Sequence, residues 1–213
     1  LKYILDEFAI ANEKKDTAII SSIYTYDGKN TYKSKLTTPE SFDLNQNLYN
    51  AYESGIKNVI MEVSSQALKL GRVHSLNYCV SAFLNISEDH IGPIEHPDFD
   101  DYLDSKLKIF EKSKVSCINL ESDCIDKILS TAKESKTKIV TFSTKDENAD
   151  VYGYNICKNG LNTVFNVKGK DFDFGVELTI PGLFNVENAL AAIAIATSLN
   201  IEQKYIYLGL KKA

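Results

Sequence analysis

The chain has no tryptophan, one methionine, four prolines and three histidines among 213 residues. No apolar run approaches the ~20 residues of a membrane span, so no contact with a membrane is expected. The four cysteines, Cys79, Cys117, Cys124 and Cys157, form no Cys-x-x-Cys pair. That spacing excludes the usual zinc knuckles and disulfide frameworks and fits reduced thiols in a cytoplasm. The opening "LKYILDEFAIANEKK" carries acids early and has no small-residue cleavage site, so no signal peptide is expected. The net charge of −5 argues against broad binding of nucleic acid or anionic surfaces. No internal repeat or low-complexity linker breaks the chain.

What is present reads as an ordinary globular composition, 44% apolar and 25% charged. Leu1, Ile4, Leu5 and Phe8 have helical spacing, and "LGLKKA" at the other end repeats a helical pattern. The chain is therefore expected to be an excised portion of a longer protein. Between these ends the pattern predicts a helix over 1–12, a strand over 17–24 and a hairpin over 24–34 turning at Asp27-Gly28. Thr38-Pro39-Glu40 reads as a cap, a first-turn proline and an early acid, opening a helix that ends near Gly55. A strand over 57–63, a short helix to about Leu70 and an apolar strand over 78–84 follow. A loop over 85–97 holds two histidines. Beyond it come a helix over 98–113, a strand over 115–119, a helix over 122–135 and a strand over 138–142. This alternation implies an α/β fold, a largely parallel, doubly wound sheet with helices on both faces. From 150 to 180 the rhythm becomes antiparallel, with turns at Asn159-Gly160 and Lys168-Gly169. A well-buried helix then follows in "PGLFNVENALAAIAIATSLNI".

The stretch "NVIMEVSSQALKLGRV" puts an acid, Glu62, where a buried strand ends. That is costly in a core and natural where a sheet opens onto a ligand, beyond the carboxyl ends of its strands. Glu62, Asp89 and His90 suit Mg²⁺ with phosphate oxygens. Each candidate also has a plainer reading. Glu62 pairs with a surface lysine; His90 is structural; Thr37, Thr38, Ser64 and Ser65 cap helices; Arg72 is a solvated cation. Lys106 is an exposed helix cation beside Asp101 and Asp104. On spacing alone both readings stay open.

The ordered set "TTP…EVSS…GRV…NISEDH…YLDSK…FNVEN" resembles the Mur ligases, and most nearly the MurE type, the UDP-N-acetylmuramoyl-dipeptide ligases. The likeness is strong over 37–113 and 180–200 and weaker elsewhere. It implies that residues 1–213 are the central ATP-binding domain of such a ligase. The P-loop, the uridine-binding domain and the amino-acid-binding domain are expected to lie outside this chain, and the isolated piece to be inactive. The implied reaction uses ATP to add the third residue to UDP-N-acetylmuramoyl-L-Ala-D-Glu through an acyl phosphate. The implied partners are that dipeptide and an amino acid, in a cytoplasmic, bacterial monomer.

The resemblance assigns one Mg²⁺ to Glu62 and a second to His90, and matches Lys106 to a lysine carbamylated so that it can bind Mg²⁺. An unmodified lysine, pKa about 10.4, would bring a cation to a metal. Thr37, Thr38, Ser64 and Arg72 match contacts to the muramoyl-peptide substrate, and Asn185 and Asn188 match contacts to adenine. "GPIEHP" differs from the commoner "DFHG" form of the loop after His90, and Phe184 stands where many Mur ligases have histidine. A folylpolyglutamate synthase-like ligase and a non-catalytic scaffold or partner-binding module are the alternatives.

Overall fold

The computed structural model describes residues 1–89, 91–180 and 182–212. Helix α1 (Lys2–Ala11) buries Ile4, Leu5 and Ala9 on one face, as the spacing predicts. Strands β1 (Ala18–Ile20), β2 (Tyr24–Tyr26) and β3 (Thr31–Lys33) form an antiparallel meander. The expected strand over 17–24 is broken after Ile20. There the Ser21 hydroxyl donates to the Tyr24 carbonyl at 2.8 Å and accepts from the Ile23 and Tyr24 amides, a side-chain competition that interrupts a ladder. The Asp27-Gly28 turn forms as expected. Asp27 accepts from the Lys29 and Asn30 amides, and Gly28 takes φ +88°.

Helix α2 (Ser41–Glu53) leads to β4 (Val59–Met61), which lies parallel to β1. Helix α3 (Ser65–Lys69) and strand β5 (Tyr78–Phe83) follow. Helix α4 (Phe99–Leu107) is shorter than the predicted helix over 98–113; residues Phe110–Lys112 tighten into a 3₁₀ turn. The Ser113 hydroxyl closes that turn on the Ile109 carbonyl, and β6 (Ser113–Asn119) starts at once. Helix α5 (Ile125–Glu134), β7 (Lys138–Ser143), β8 (Val151–Asn159), β9 (Asn162–Gly169), β10 (Phe172–Leu178), α6 (Leu183–Ser198) and α7 (Gln203–Leu210) complete the order. Gly169 still pairs within the ladder, opposite both Val151 and Phe172. The second hairpin therefore turns at Lys170-Asp171 rather than at Lys168-Gly169.

The strands form two sheets, β3-β2-β1-β4 and β10-β9-β8-β7-β6-β5. In the larger sheet β5, β6, β7 and β8 are parallel, and β8 through β10 are antiparallel. This is the expected α/β arrangement with an antiparallel section at 151–178. One face packs against α6, α1 and α7 through residues such as Leu190, Ile193, Ile4 and Ile206. The other packs against α4, the 3₁₀ turn and α5 through Leu103, Phe110 and Ile128. Helix α6 is buried at Val186, Leu190, Ile193 and five alanines. Small residues let it lie close to the strands, which is what its sequence predicts.

Helices α1 and α7 meet at Gly209. A Cβ there would lie 2.4 Å from the Cα and N of Ile4, backbone atoms that cannot swing away. Gly209→Ala is expected to destabilise the fold by about 1–3 kcal/mol through overpacking, read as a lowered denaturant midpoint at unchanged slope.

Candidate functional site

Strand β4 is pinned at its carboxyl end where the Glu62 amide donates to the Ile20 carbonyl at 2.9 Å. The chain then leaves the sheet, and the Glu62 side chain is exposed. Its Oε2 accepts from the Ser22 amide at 2.8 Å. The acid therefore stands at an opening of the sheet.

Thr38 meets the same turn from below. Only 1% of it is exposed, and its hydroxyl donates to the Glu62 carbonyl and accepts from the Ser64 amide, both at 2.9 Å. Thr38 does not cap α2. That helix starts at Ser41 with Glu40 as its N-cap and without a side-chain cap bond. The threonine hydroxyl is drawn instead to two backbone groups that would otherwise be buried without partners. Ser64 does cap α3, accepting from the Ala67 amide at 3.2 Å. Thr37, half-buried, precedes Thr38 in this loop.

Arg72 is no solvated cation. Its side chain is 11% exposed and its Nη2 lies 2.8 Å from Glu40 Oε1. Its Nη1 donates to the Thr38 carbonyl at 3.3 Å, and its Nε is buried without a partner among the described residues. The 37–41 loop and the 62–72 segment are thus tied at both ends.

Lys106, on α4, is no surface cation either. Its Nζ donates to the Asn85 carbonyl at 3.0 Å and to the Tyr102 hydroxyl at 3.4 Å. It lies over the rings of Phe83 and Tyr102, 5.4 and 5.2 Å from their centroids. The two acids expected beside it are engaged elsewhere, Asp101 with Lys69 and His96, Asp104 with Lys127. Burial pulls the Lys106 pKa below the ordinary lysine range.

Asn85 also lines a cavity of about 120 Å³ with Leu84, Asn119, Phe142, Phe184, Glu187 and Asn188. It sits past the carboxyl ends of β5 and β6, under the first turns of α6. Gly182 bends the chain into that helix at φ +114°, where a Cβ would lie 2.6 Å from the Phe184 ring. Phe184 is left 64% exposed. Asn119 Nδ2 donates to Glu187 Oε2 at 3.3 Å. The Asn185 amide donates to the Gly182 carbonyl, and Asn188 is exposed at the rim.

The structure therefore gathers two groups. Thr38, Ser64 and Arg72 join the Glu62 backbone; Lys106 joins, through Asn85, the cavity that Asn188 lines. Among the described residues no hydrogen bond or ion pair connects Glu62 to Lys106, and His90 lies outside them. Asn119 and Glu187 were not identified from sequence. Asn119 ends a parallel strand just as Glu62 does, and Glu187 stands between the two matched asparagines, so the same two signals mark them.

A family model described as the Mur ligase middle domain matches residues 2–196. UDP-N-acetylmuramoyl-L-alanyl-D-glutamate–L-lysine ligase of Enterococcus faecalis is 40% identical over 203 residues, 93% of this chain and 39% of that protein. UDP-N-acetylmuramyl-tripeptide synthetase of Lactococcus lactis subsp. cremoris is 37% identical over 214 residues, 100% of this chain and 42% of that protein. The chain thus spans about two fifths of the length of these relatives. The solved structure of a UDP-N-acetylmuramoyl-L-alanyl-D-glutamate–2,6-diaminopimelate ligase matches all of this chain and 44% of its own, with a TM-score of 0.82 at 23% identity. That likeness is one of fold.

Removing the Thr38 hydroxyl orphans two backbone groups. Thr38→Val is expected to cost about 1–3 kcal/mol by chemical denaturation, whereas Thr38→Ser keeps the hydroxyl and most of the stability.

Proposed function

The chain belongs to the Mur ligase family, and from that membership we propose that it is the ATP-binding central domain of a MurE-type ligase. The reaction adds the third residue to UDP-N-acetylmuramoyl-L-Ala-D-Glu in peptidoglycan synthesis. The names of the Enterococcus and Lactococcus relatives support the substrate class. The observation that carries the site is the desolvated Lys106 amine, held on the Asn85 carbonyl beside the cavity under α6.

An oxygen of the substrate carboxylate attacks the γ-phosphorus of ATP, and ADP leaves. The amino acid's nitrogen then attacks the acyl carbon of the acyl phosphate, phosphate departs, and the nitrogen loses a proton to give the amide. Both partners of the first step are anionic. Mg²⁺, when bound, supplies charge neutralisation on the transferring phosphoryl group.

The residue types suit that ion, and among the described residues no three carboxylate, imidazole or thiol groups converge on one point. Glu62 presents a hard carboxylate at an open strand end, and the family pattern assigns His90 to a second Mg²⁺. Lys106 fits only in modified form. Its buried amine loses its proton more readily than an exposed lysine. The free lone pair can attack the carbon of CO₂ and, after release of a proton, leave an anionic carbamate in place of an ammonium. Oxygen ligands of this kind suit Mg²⁺.

Thr37, Ser64 and Arg72 are assigned to the muramoyl-peptide substrate. Arg72 can form a charge-assisted pair with a carboxylate, in exchange for its pairing with the exposed Glu40. Thr38, whose hydroxyl is taken by the backbone, serves the same subsite by holding Ser64. Asn185 and Asn188 are assigned to adenine, with Phe184 exposed nearby as an apolar face.

In the ligase that carries this domain, Lys106→Ala is expected to abolish turnover, and added bicarbonate not to restore it. Glu62→Gln is expected to lower kcat by about 10²–10³-fold, the scale of losing one group that stabilises transition-state charge. Phosphate release with UDP-N-acetylmuramoyl-L-Ala-D-Glu, ATP and amino acid reads both. Near-normal rates for Lys106→Ala would remove the carbamate role, and a mild Glu62→Gln would place the metal elsewhere.

A further inference from the structure

His96 is wholly buried, with 0% of the residue exposed, yet nothing in the proposed reaction uses it. Its Nδ1 lies 2.5 Å from Asp101 Oδ2, and its Nε2 lies 2.9 Å from Ser65 Oγ. The same Asp101 oxygen accepts from Lys69 Nζ at 2.6 Å, and Lys69 also donates to the Glu95 carbonyl at 3.1 Å. The loop is shaped to deliver this side chain. The Gly92 amide donates to the His96 carbonyl at 2.8 Å, closing residues 92–96 into a tight bend.

The partners of His96 lie on two elements. Ser65 opens α3, directly after Ser64. Asp101 lies in the first turn of α4, the helix that carries Lys106. Tyr102 continues the line. Its ring centroid is 5.2 Å from that of His96, and its hydroxyl is 3.4 Å from Lys106 Nζ. A contiguous path thus runs from Ser65 through His96 and Tyr102 to the Lys106 amine.

The cluster is only partly buried: His96 and Ser65 are enclosed, while the Lys69 and Asp101 side chains are 29% and 33% exposed, a setting in which an ion pair adds little stability. Its directional bonds can instead fix where one helix stands against another. We infer that His96 is a positioning residue. By bonding Asp101 and Ser65 and packing on Tyr102, it sets α4 against α3 and holds the Lys106 amine at the Asn85 carbonyl, where it is to be carbamylated. This inference rests on the proposed role of Lys106.

The test is ¹³C NMR of this chain with ¹³C-bicarbonate and Mg²⁺, the carbamate resonance being assigned by its loss in Lys106→Ala. His96→Asn keeps a polar side chain too short to span both partners. Carbamate occupancy in folded His96→Asn is expected to fall by roughly tenfold or more, the scale of losing an outer-shell partner. Circular dichroism establishes that the variant is folded. If its occupancy equals the wild type's while its melting temperature alone falls, His96 is merely structural and the inference is overturned, though the role of Lys106 stands. No resonance at Lys106 in the wild type would overturn both. Should His96→Asn fail to fold, Ser65→Ala decides in its place: reduced occupancy supports the inference, and unchanged occupancy overturns it.

Discussion

The hydroxyl of Thr38 is buried between a carbonyl it satisfies and an amide that satisfies it, on either side of the bend that follows β4. Everything at this end of the smaller sheet follows from that closure. It fixes the direction in which the chain leaves the strand, so Glu62 faces outward while Ser64 is placed to start α3. It also brings the 37–41 loop over the segment after α3, where Arg72 completes the tie through the Thr38 carbonyl and Glu40. One side chain with a single donor and two lone pairs thus organises two loops remote in sequence. The bonds are short, buried and to backbone, the setting in which leaving a group unpaired costs most.

At the larger sheet the controlling physics is different. Lys106 gives up hydration for one carbonyl, one phenol and two ring faces. None of these is a full counter-charge, so its ammonium form is disfavoured relative to an exposed lysine. The aspartates of its own helix, Asp104 two residues and Asp101 five residues before it, lie off its face and pair with Lys69, His96 and Lys127. Burial therefore moves the amine toward proton loss relative to an exposed lysine, while the carbonyl and the ring faces hold it in place.

The outline of the fold was readable from periodicity and turn chemistry because most elements agree with their local pattern. The Asp27-Gly28 turn, the apolar α6 and the βα alternation are examples. The departures have local causes. The break after Ile20 comes from the Ser21 hydroxyl bonding its own neighbourhood, and the shifted hairpin from Gly169 remaining in register with two strands. Both depend on geometry that a residue type does not encode. The motif marked Glu62, Ser64 and Lys106 in the sequence as candidates. The partners of Lys106 were not legible there. Asn85 contributes a carbonyl, which every residue has, and His96, which reaches Lys106 only through Tyr102, lies in a loop whose bend appears only once Gly92 and His96 have met. Thr38 and Arg72 were picked out for their chemistry. Their bonds to backbone, to Glu40 and to each other come from tertiary approach.

The division of the strands into two ladders has a mechanical consequence. No backbone ladder bond among the described residues links β4 to β5. The gap is filled by apolar side chains, with Val63 and Leu68 touching the clusters on both sides. Apolar cohesion is strong but has no direction, so it resists parting and offers little resistance to sliding. Between Glu62 and Lys106 the molecule therefore has a seam that is greased along the sheets and stitched at the helices, where His96 bonds Ser65 and Asp101 and Lys69 bonds Asp101, and a ligand gripping both banks would act as a further cross-pin.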